Sequence, residues 1–286
     1  MDFAFNASAL GAGGIIERGN VVYTIPSLAS VALAPTGGEW RSVVSNYFSE
    51  ELAIGHAETR VYGRSMGQGK ARTFTTSTYV LMKDVSIFGR IRIGEMSSTV
   101  TSTRGFEESD DHAFDISIRF EHVTIDGKPV RPLIDNRLAA LTRYEDLRKA
   151  LGTPRRPPAA IAADTGIAGS FNTTPENLRT LLDQRRPVQT SMIGSVEGLE
   201  PFPEPRTYPV PGLGTVRFAE LMLKPGRRRL NLVRVKLGPL RRMSEEGPEE
   251  LMSLREGPFD ENNGTPLTGG SITLGSGEGN GTPIGP

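Results

Sequence analysis

A long alternation of apolar and polar residues at positions 72–103 constrains the fold most. The alternating apolar or small positions are Val85, Ile87, Ile91, Ile93, Met96, Ser98 and Val100, and the intervening polar positions include Lys83, Arg90, Arg92, Thr99 and Thr101. A spacing of two matches a pleated strand with one buried face, and threonine and β-branched residues favour strand over helix. Phe88-Gly89 interrupts the alternation, so we predict two strands divided by a turn or a bulge.

A second alternation occurs further along the chain and then shifts its phase. It comprises Phe114, Ile116, Ile118 and Phe120, followed one position out of step by Val123 and Ile125. A shift of one residue turns the apolar set to the other face, so we predict a β-bulge near Glu121-His122. Asp126-Gly127 follows, and this dipeptide predicts a type I′ hairpin turn because both central residues need positive φ.

The spacing of apolar residues becomes helical at about residues 136–186. A first helix is predicted to begin with Asn136 as its N-cap. A second is predicted to begin at Thr174-Pro175, since threonine is a good N-cap and proline suits the first helical position. We therefore predict a small two-helix insert within a β-rich domain.

Residues 239–286 differ from the rest of the chain, being charged at first and then rich in Gly, Ser, Thr and Pro. This composition buries too little apolar surface to offset the entropy of ordering, so it predicts a flexible tail. Within it, residues 271–274 form a short β-competent peptide that could add to a neighbour's sheet. The predicted fold is mainly β over residues 1–238, with antiparallel sheets arranged as a sandwich or a partly open barrel.

Composition excludes several classes of function. The 33 basic and 33 acidic residues cancel, which gives the chain no overall electrostatic preference for nucleic acid or an anionic membrane. Without cysteine it has no disulfide, thiolate metal site or thiol nucleophile. No apolar run approaches the ~20 residues of a membrane helix, and the first residues lack the pattern of a secretory signal. We predict no cofactor, no membrane span and no specific nucleic acid partner.

One basic cluster is a candidate binding site. Arg227, Arg228 and Arg229 follow the Pro225-Gly226 turn of the last predicted hairpin. Such a cluster could bind phosphate or an acidic partner. The alternative is that the arginines are simply solvated, because no aromatic residues alternate with them as in a stacking platform.

One serine matches the literal spacing of a hydrolase nucleophile. Residues 63–67 read Gly-x-Ser-x-Gly around Ser65, and Asp110 and His112 follow in the chain. The nucleophile elbow needs a strand-to-helix turn, however, and the surrounding pattern predicts antiparallel strands. Asp110-Asp111-His112 offers oxygen and imidazole ligands to a cation but lacks the spaced ligands of a calcium loop. We predict neither a catalytic nor a metal site.

Three segments together resemble a known family. Residues 79–103, 122–130 and 211–216 resemble the bacterial surface domains of the choice-of-anchor P type, with YVLMKDVSIFGRIRIGEMSSTVTST, HVTIDGKPV and PGLGTV as the matching sequences. The resemblance implies an all-β module at the cell surface or outside the cell. Such modules have no known activity and are usually attached to the envelope.

These observations favour a non-enzymatic structural or interaction protein. We expect a component of a surface layer, filament or appendage that associates through its strand edges with itself or with another envelope or assembly protein. Two alternatives stay open: a carbohydrate- or phosphate-binding module, for which the threonine-rich strands would give a flat face, and a serine hydrolase using Ser65.

Overall fold

The structure, a computed structural model, describes residues 2–106, 113–141, 143–150, 170–171, 173–200, 206–238 and 267–284. Within these residues two antiparallel β-sheets pack face to face as a sandwich that is not closed into a barrel. The mainly β fold and its antiparallel sheets are therefore confirmed, and of the two predicted arrangements the structure has the sandwich.

The first sheet contains strands from both ends of the chain. Its strands are β1 (Asp2–Arg18), β2 (Val21–Leu28), β3 (Val31–Ala32), β10 (Val188–Ser191), β12 (Tyr208–Val210), β13 (Gly214–Lys224), β14 (Arg227–Leu237) and β15 (Leu267–Ile284). The main path is β10-β13-β14-β15-β1-β2, with β12 beside β13 and β3 beside β1. β1 and β15 therefore lie next to each other within the sheet.

The second sheet is nearly a simple meander. Its strands are β4 (Gly38–Phe48), β5 (Leu52–Met66), β6 (Thr73–Ile87), β7 (Ile91–Gly105), β8 (Ala113–Ile125), β9 (Lys128–Ile134) and β11 (Ile193–Glu197). They follow the order β11-β9-β8-β7-β6-β5-β4. Strands β1 and β15 of the first sheet cover β5, β6 and β7, so the core lies between these layers.

The predicted turns of the second sheet are present. Phe88 and Gly89 both have positive φ, 50° and 67°, and they connect β6 to β7. Asp126 and Gly127 have φ values of 51° and 73°, as a type I′ turn requires, and they join β8 to β9.

A row of irregular positions crosses the second sheet and changes the face that each strand buries. Asn46, Asp84 and His122 have φ values of 54°, 52° and 53°, and they alternate with Gly55 and Gly94 on the strands between them. A Cβ on Gly94 would lie 3.0 Å from the Cβ of His122, so a larger residue at position 94 would crowd the histidine. The phase change predicted at Glu121-His122 is present and belongs to a feature that spans five strands. The predicted β-bulge is wrong, however, because Glu95↔Glu121 and Ile93↔Val123 keep one register and no residue is inserted.

The first sheet has a matching row. Ala219, Gly275 and Ala29 have φ values of 47°, 62° and 48°, with Leu232 and Gly11 on the strands between them. A Cβ on Gly275 would come within 2.6 Å of the Leu232 side chain. Because both sheets carry such a row, the long strands change the buried face partway along their length.

The C-terminal segment differs from its prediction. Residues 267–284, predicted to belong to a flexible tail, form strand β15 between β14 and β1, while residues 239–266 and 285–286 lie outside the described residues. Several of the glycines that predicted flexibility are instead required by close contacts. A Cβ on Gly270, which has a φ of 115°, would lie 2.3 Å from the carbonyl oxygen of Ile15.

The predicted helical insert contains three short helices among the described residues: α1 (Asn136–Ala139), α2 (Tyr144–Ala150) and α3 (Pro175–Asp183). The first predicted helix is split. Asp135, not Asn136, caps α1. At the start of α2, the Asp146 carboxylate accepts a hydrogen bond from the backbone N–H of Arg143, so α2 begins as a separate helix. Thr174 caps α3 as predicted, accepting a hydrogen bond from the N–H of Asn177.

Candidate interaction surface

The two long sides of the sandwich differ in how their sheet edges are protected. On one side the edge strands are short: β10 has 4 residues, β12 has 3 and β11 has 5. Helix α3 also packs against β10. On the opposite side the edges are β2, with 8 residues, and β4, with 11. Short or covered edge strands limit unwanted pairing, so within the described part of the chain the second side is the open one.

This open side carries large apolar side chains in contact with solvent. They are Ile15, Val21, Val22, Tyr23, Trp40, Val43 and Phe48. We call strands β2 and β4 together with Ile15 the open edge surface. Phe48 is 81% exposed and Trp40 54%, although both are residues that proteins usually bury. A concentration of such residues at one edge is typical of an interaction site.

The backbone of β4 is also available for pairing. β4 forms a ladder with β5 on one side, and no strand among the described residues pairs with its other side. An unpaired edge presents alternating N–H and C=O groups, which another strand can use. Edge strands are often protected by being short or by containing a proline, and β4, with 11 residues and no proline, has neither protection.

Charges at one end of the open edge surface are paired across the two sheets. Arg18 of β1 lies 3.4 Å from Glu50 and 3.5 Å from Glu51, and these acidic residues belong to the turn between β4 and β5. The pairs link the first sheet to the second. Because they satisfy each other, these charges give the edge little electrostatic protection.

Of the two charged residues on β4, Glu39 and Arg41, the arginine is paired with the neighbouring strand. Arg41 donates a hydrogen bond of 2.9 Å to Glu58 of β5, and Arg60 pairs with the same carboxylate. Burial raises the pKa of Glu58, but the hydrogen bonds from Arg60 and Arg41 outweigh it, so the pKa is lowered. Glu58 is thus ionised at neutral pH, and Arg41 is held toward β5 and away from the free side of β4.

The three arginines predicted to bind phosphate do not share one face of β14. Arg227 pairs with Glu278 of β15, and Arg228 is 1% exposed, with its guanidinium 4.6 Å from the ring centroid of Phe114. Arg229 is exposed. Because side chains alternate along β14, Arg228 points to the face opposite that of Arg227 and Arg229, and Arg229 lies opposite Glu278 in the β14–β15 ladder. Phosphate binding by this triplet stays a prediction, and the geometry does not bring the three together.

Ser65 lies inside β5, where its hydroxyl accepts a hydrogen bond of 3.1 Å from Arg72. The next element is the short 3₁₀ helix Gly69–Ala71 and not the α-helix of a nucleophile elbow. Asp110 and His112, the other predicted partners, lie outside the described residues. The described geometry around Ser65 therefore does not favour a hydrolase, which stays a prediction.

The threonine-rich strands do not form a single exposed face. Thr76 and Thr78 are buried between the sheets, where they face Gly279 and Gly277 of β15. This arrangement was missed by sequence analysis, since nothing in the alternation of β6 shows which strand covers it.

A cleft of about 880 Å³ lies on the outer face of the second sheet, near the β6–β7 and β8–β9 turns. Its charged or titratable lining residues are Asp84, Arg90, Arg92, His122 and Asp126. Arg90 donates two hydrogen bonds, of 2.7 and 2.8 Å, to Asp126, which neutralises both. The lining mixes both signs of charge, so it is not specialised for phosphate. The sequence predicted the β6–β7 and β8–β9 turns, but not that these two turns lie close together.

These features define an antiparallel β-sandwich with one protected side and one open side. The family model of a domain of unknown function, DUF8256, matches residues 3–157, and the chain therefore belongs to this family. The match includes β1–β9, whereas β10–β15 lie beyond it. No curated protein and no solved structure matches the chain.

Among the described residues, no helix is both long and apolar enough to span a membrane. The resemblance to choice-of-anchor P domains and the surface location that it implies stay predictions.

Proposed function

We propose that this protein is a non-enzymatic structural or interaction protein that associates with further copies of itself through the open edge surface. The observation that carries the proposal is the 11-residue edge strand β4, which is unpaired on one side among the described residues and exposes Trp40, Val43 and Phe48. Backbone groups of an edge provide affinity, and apolar side chains provide contact area.

A second copy fits this edge for two reasons. Two β4 strands related by a two-fold axis pair antiparallel, and such a contact is self-complementary, so one surface serves both partners. The other strand that the sequence offered for augmentation, residues 271–274, is already paired on both sides within its own chain. β4 is therefore the free strand of suitable length that each copy brings.

Strand β2 adds apolar area to the same contact. It lies in the other sheet on the same side of the sandwich as β4, and it exposes Val21, Val22 and Tyr23. The two-fold axis that relates two antiparallel β4 strands is perpendicular to the sheet, so it also brings β2 of the two copies toward each other. One two-fold contact of this kind closes a dimer. A filament or layer requires a further contact between such dimers.

The test uses Trp40, the one tryptophan in the sequence, as a probe placed on the edge strand. Over a range of concentrations of the full chain, we expect the emission of Trp40 to shift to shorter wavelength while light scattering reports a rising mass. Val43→Lys places a charge on the edge and should lower the association constant at least tenfold. Ser117→Lys, an exposed position on the internal strand β8, is the matched control and should associate like the wild type.

The proposal fails if Trp40 emission is independent of concentration and the wild type stays monomeric at high concentration. It also fails if the wild type associates but Val43→Lys and Ser117→Lys weaken association equally.

A further inference from the structure

Strand β15 is embedded in the first sheet although it ends near the C-terminus. Its pairing with β1 runs from Asp2↔Ile284 to Arg18↔Leu267. On its other side it pairs with β14, from Arg228↔Gly279 to Lys236↔Ser271. Among the strands that the structure describes, β15 thus joins two parts of the sheet that do not pair directly with each other.

The chain between β14 and β15 is much longer than their pairing requires. The two strands are antiparallel neighbours, and such neighbours are ordinarily joined by two to five residues. Here residues 239–266 lie between them in sequence. At full extension a chain of this length spans roughly 90 Å, which is enough to reach the same position in an adjacent copy.

The slot that β15 fills is suited to accepting a strand. On the second sheet, Thr76 and Thr78 face Gly279 and Gly277 of β15. The buried positions of β6 and β7 around them are both hydroxyl and apolar: Val80, Ser98, Val100 and Ser102. The hydroxyl groups of this floor can be hydrated when the slot is empty. The large side chains that β15 buries completely are Ile272 and Leu274. Its attachment therefore depends largely on backbone hydrogen bonds along both sides, and another copy's β15 can form the same bonds.

We propose that β15 is an exchangeable strand, which inserts into the β1–β14 slot of a second copy in the register seen here and so links copies of the chain. An inserted β15 makes the same contacts whether the slot belongs to its own chain or to a second copy. This equivalence is the basis of strand exchange between identical chains. This inference goes beyond the proposed function, since exchange requires neither β2 nor β4.

Engineered cysteines can test this directly because the sequence has none of its own. Lys236 and Ser271 are directly opposite each other in the β14–β15 ladder, close enough for a disulfide between cysteines. Lys236→Cys and Ser271→Cys are made in separate full-length chains of distinguishable mass. They are unfolded together, refolded at high concentration and mildly oxidised. Exchange predicts disulfide-linked heterodimers at least fivefold above either homodimer on intact-mass analysis.

The matched control is the pair Ser77→Cys and Thr101→Cys. These residues are opposite each other in the β6–β7 hairpin, which a short turn closes. This pair should give no excess of heterodimer. Equal amounts of heterodimer and homodimer for the 236/271 pair would overturn the proposal, as would failure of the double variant Lys236→Cys/Ser271→Cys to form any disulfide.

Repeating the mixture in the Val43→Lys background separates this inference from the proposed function. Heterodimers should persist there, because β4 takes no part in exchange. If they disappear with Val43→Lys, the cross-link depends on edge contact and the exchange proposal is wrong. Conversely, a concentration-dependent Trp40 signal without heterodimers would retain edge association and reject exchange.

Discussion

Replacing Gly277 of β15 by alanine should destabilise the protein, because the two sheets approach closely at this point. A Cβ at position 277 would lie 2.6 Å from Oγ1 of Thr78, a side chain that is 1% exposed. Thr78 is short and enclosed, so it cannot swing away as the end of a long side chain would. The sheets must separate locally, or Thr78 must leave its rotamer.

The expected magnitude follows from two opposing effects. Overpacking a close-packed core by a methyl group costs about 1–3 kcal/mol. Gly→Ala also reduces the entropy of the unfolded chain, which stabilises the fold by about 0.4–1 kcal/mol. The net loss should be about 1–2 kcal/mol of unfolding free energy, equivalent to a fall in Tm of about 2–8 °C.

Gly279→Ala is the matched control in the same strand. A Cβ there would lie 3.5 Å from Oγ1 of Thr76, which is ordinary van der Waals contact. Its Tm should equal or slightly exceed that of the wild type in differential scanning calorimetry. Thr78→Ala removes the clashing oxygen, so Gly277→Ala should cost much less in that background. The reasoning would be refuted if Gly277→Ala were as stable as Gly279→Ala, or if Thr78→Ala gave no rescue.

Two further predictions concern buried polar groups. The hydrogen bonds from Arg137 and Arg206 outweigh the effect of burial and hold the pKa of Asp135 at about 2. Because this folded-state pKa lies below the unfolded one, the carboxylate stabilises the fold above about pH 4, by about 2 kcal/mol, and this contribution disappears as the pH falls toward 2. Asp135→Asn should therefore be less stable than the wild type at pH 7 and approach it near pH 2. A difference in unfolding free energy that stays constant between pH 7 and pH 2 in urea titrations would contradict this. Burial raises the pKa of Tyr144 to about 12, and its hydroxyl donates a hydrogen bond of 3.0 Å to the carbonyl oxygen of Arg186. Tyr144→Phe should lower the free energy of unfolding by about 1 kcal/mol at pH 7. The wild type should also lose stability between pH 10 and 12 as this tyrosine ionises, and the variant should lack that part of the loss. Equal urea midpoints for the two proteins at pH 7 would argue against the contact.

Much of the second sheet was predictable from sequence because its information is local. The alternation along β6 and β7, the positive-φ turn at Asp126-Gly127 and the irregularity at His122 each depend on residues a few positions apart. Hairpin neighbours in sequence are also neighbours in space. The strands of this meander and their order therefore follow almost directly from the pattern.

The candidate site depended on information that no local pattern contains. The sequence predicts that strand edges are used, but only the structure shows that β2 and β4 are the long edges on the same side. The exposure of Trp40 and Phe48 was not predicted, since large apolar residues in a strand ordinarily indicate burial. Conversely, the three consecutive arginines look like one cluster in the sequence, whereas alternation along β14 separates Arg228 from Arg227 and Arg229.

The sequence by itself determined that the chain forms β-strands, where most of them turn, and that no cysteine or excess of charge directs its chemistry. Only the tertiary structure decided the role of the C-terminal segment. Its glycines lack side chains that a local pattern could read, and a glycine-rich stretch alone cannot offset its ordering entropy. Between β1 and β14 the same residues gain backbone hydrogen bonds on both sides, and the missing Cβ atoms of Gly275 and Gly277 leave room for Leu232 and Thr78. The energy that orders β15 comes from strands distant in sequence, and sequence distance is the reason that local reading assigned it to a tail.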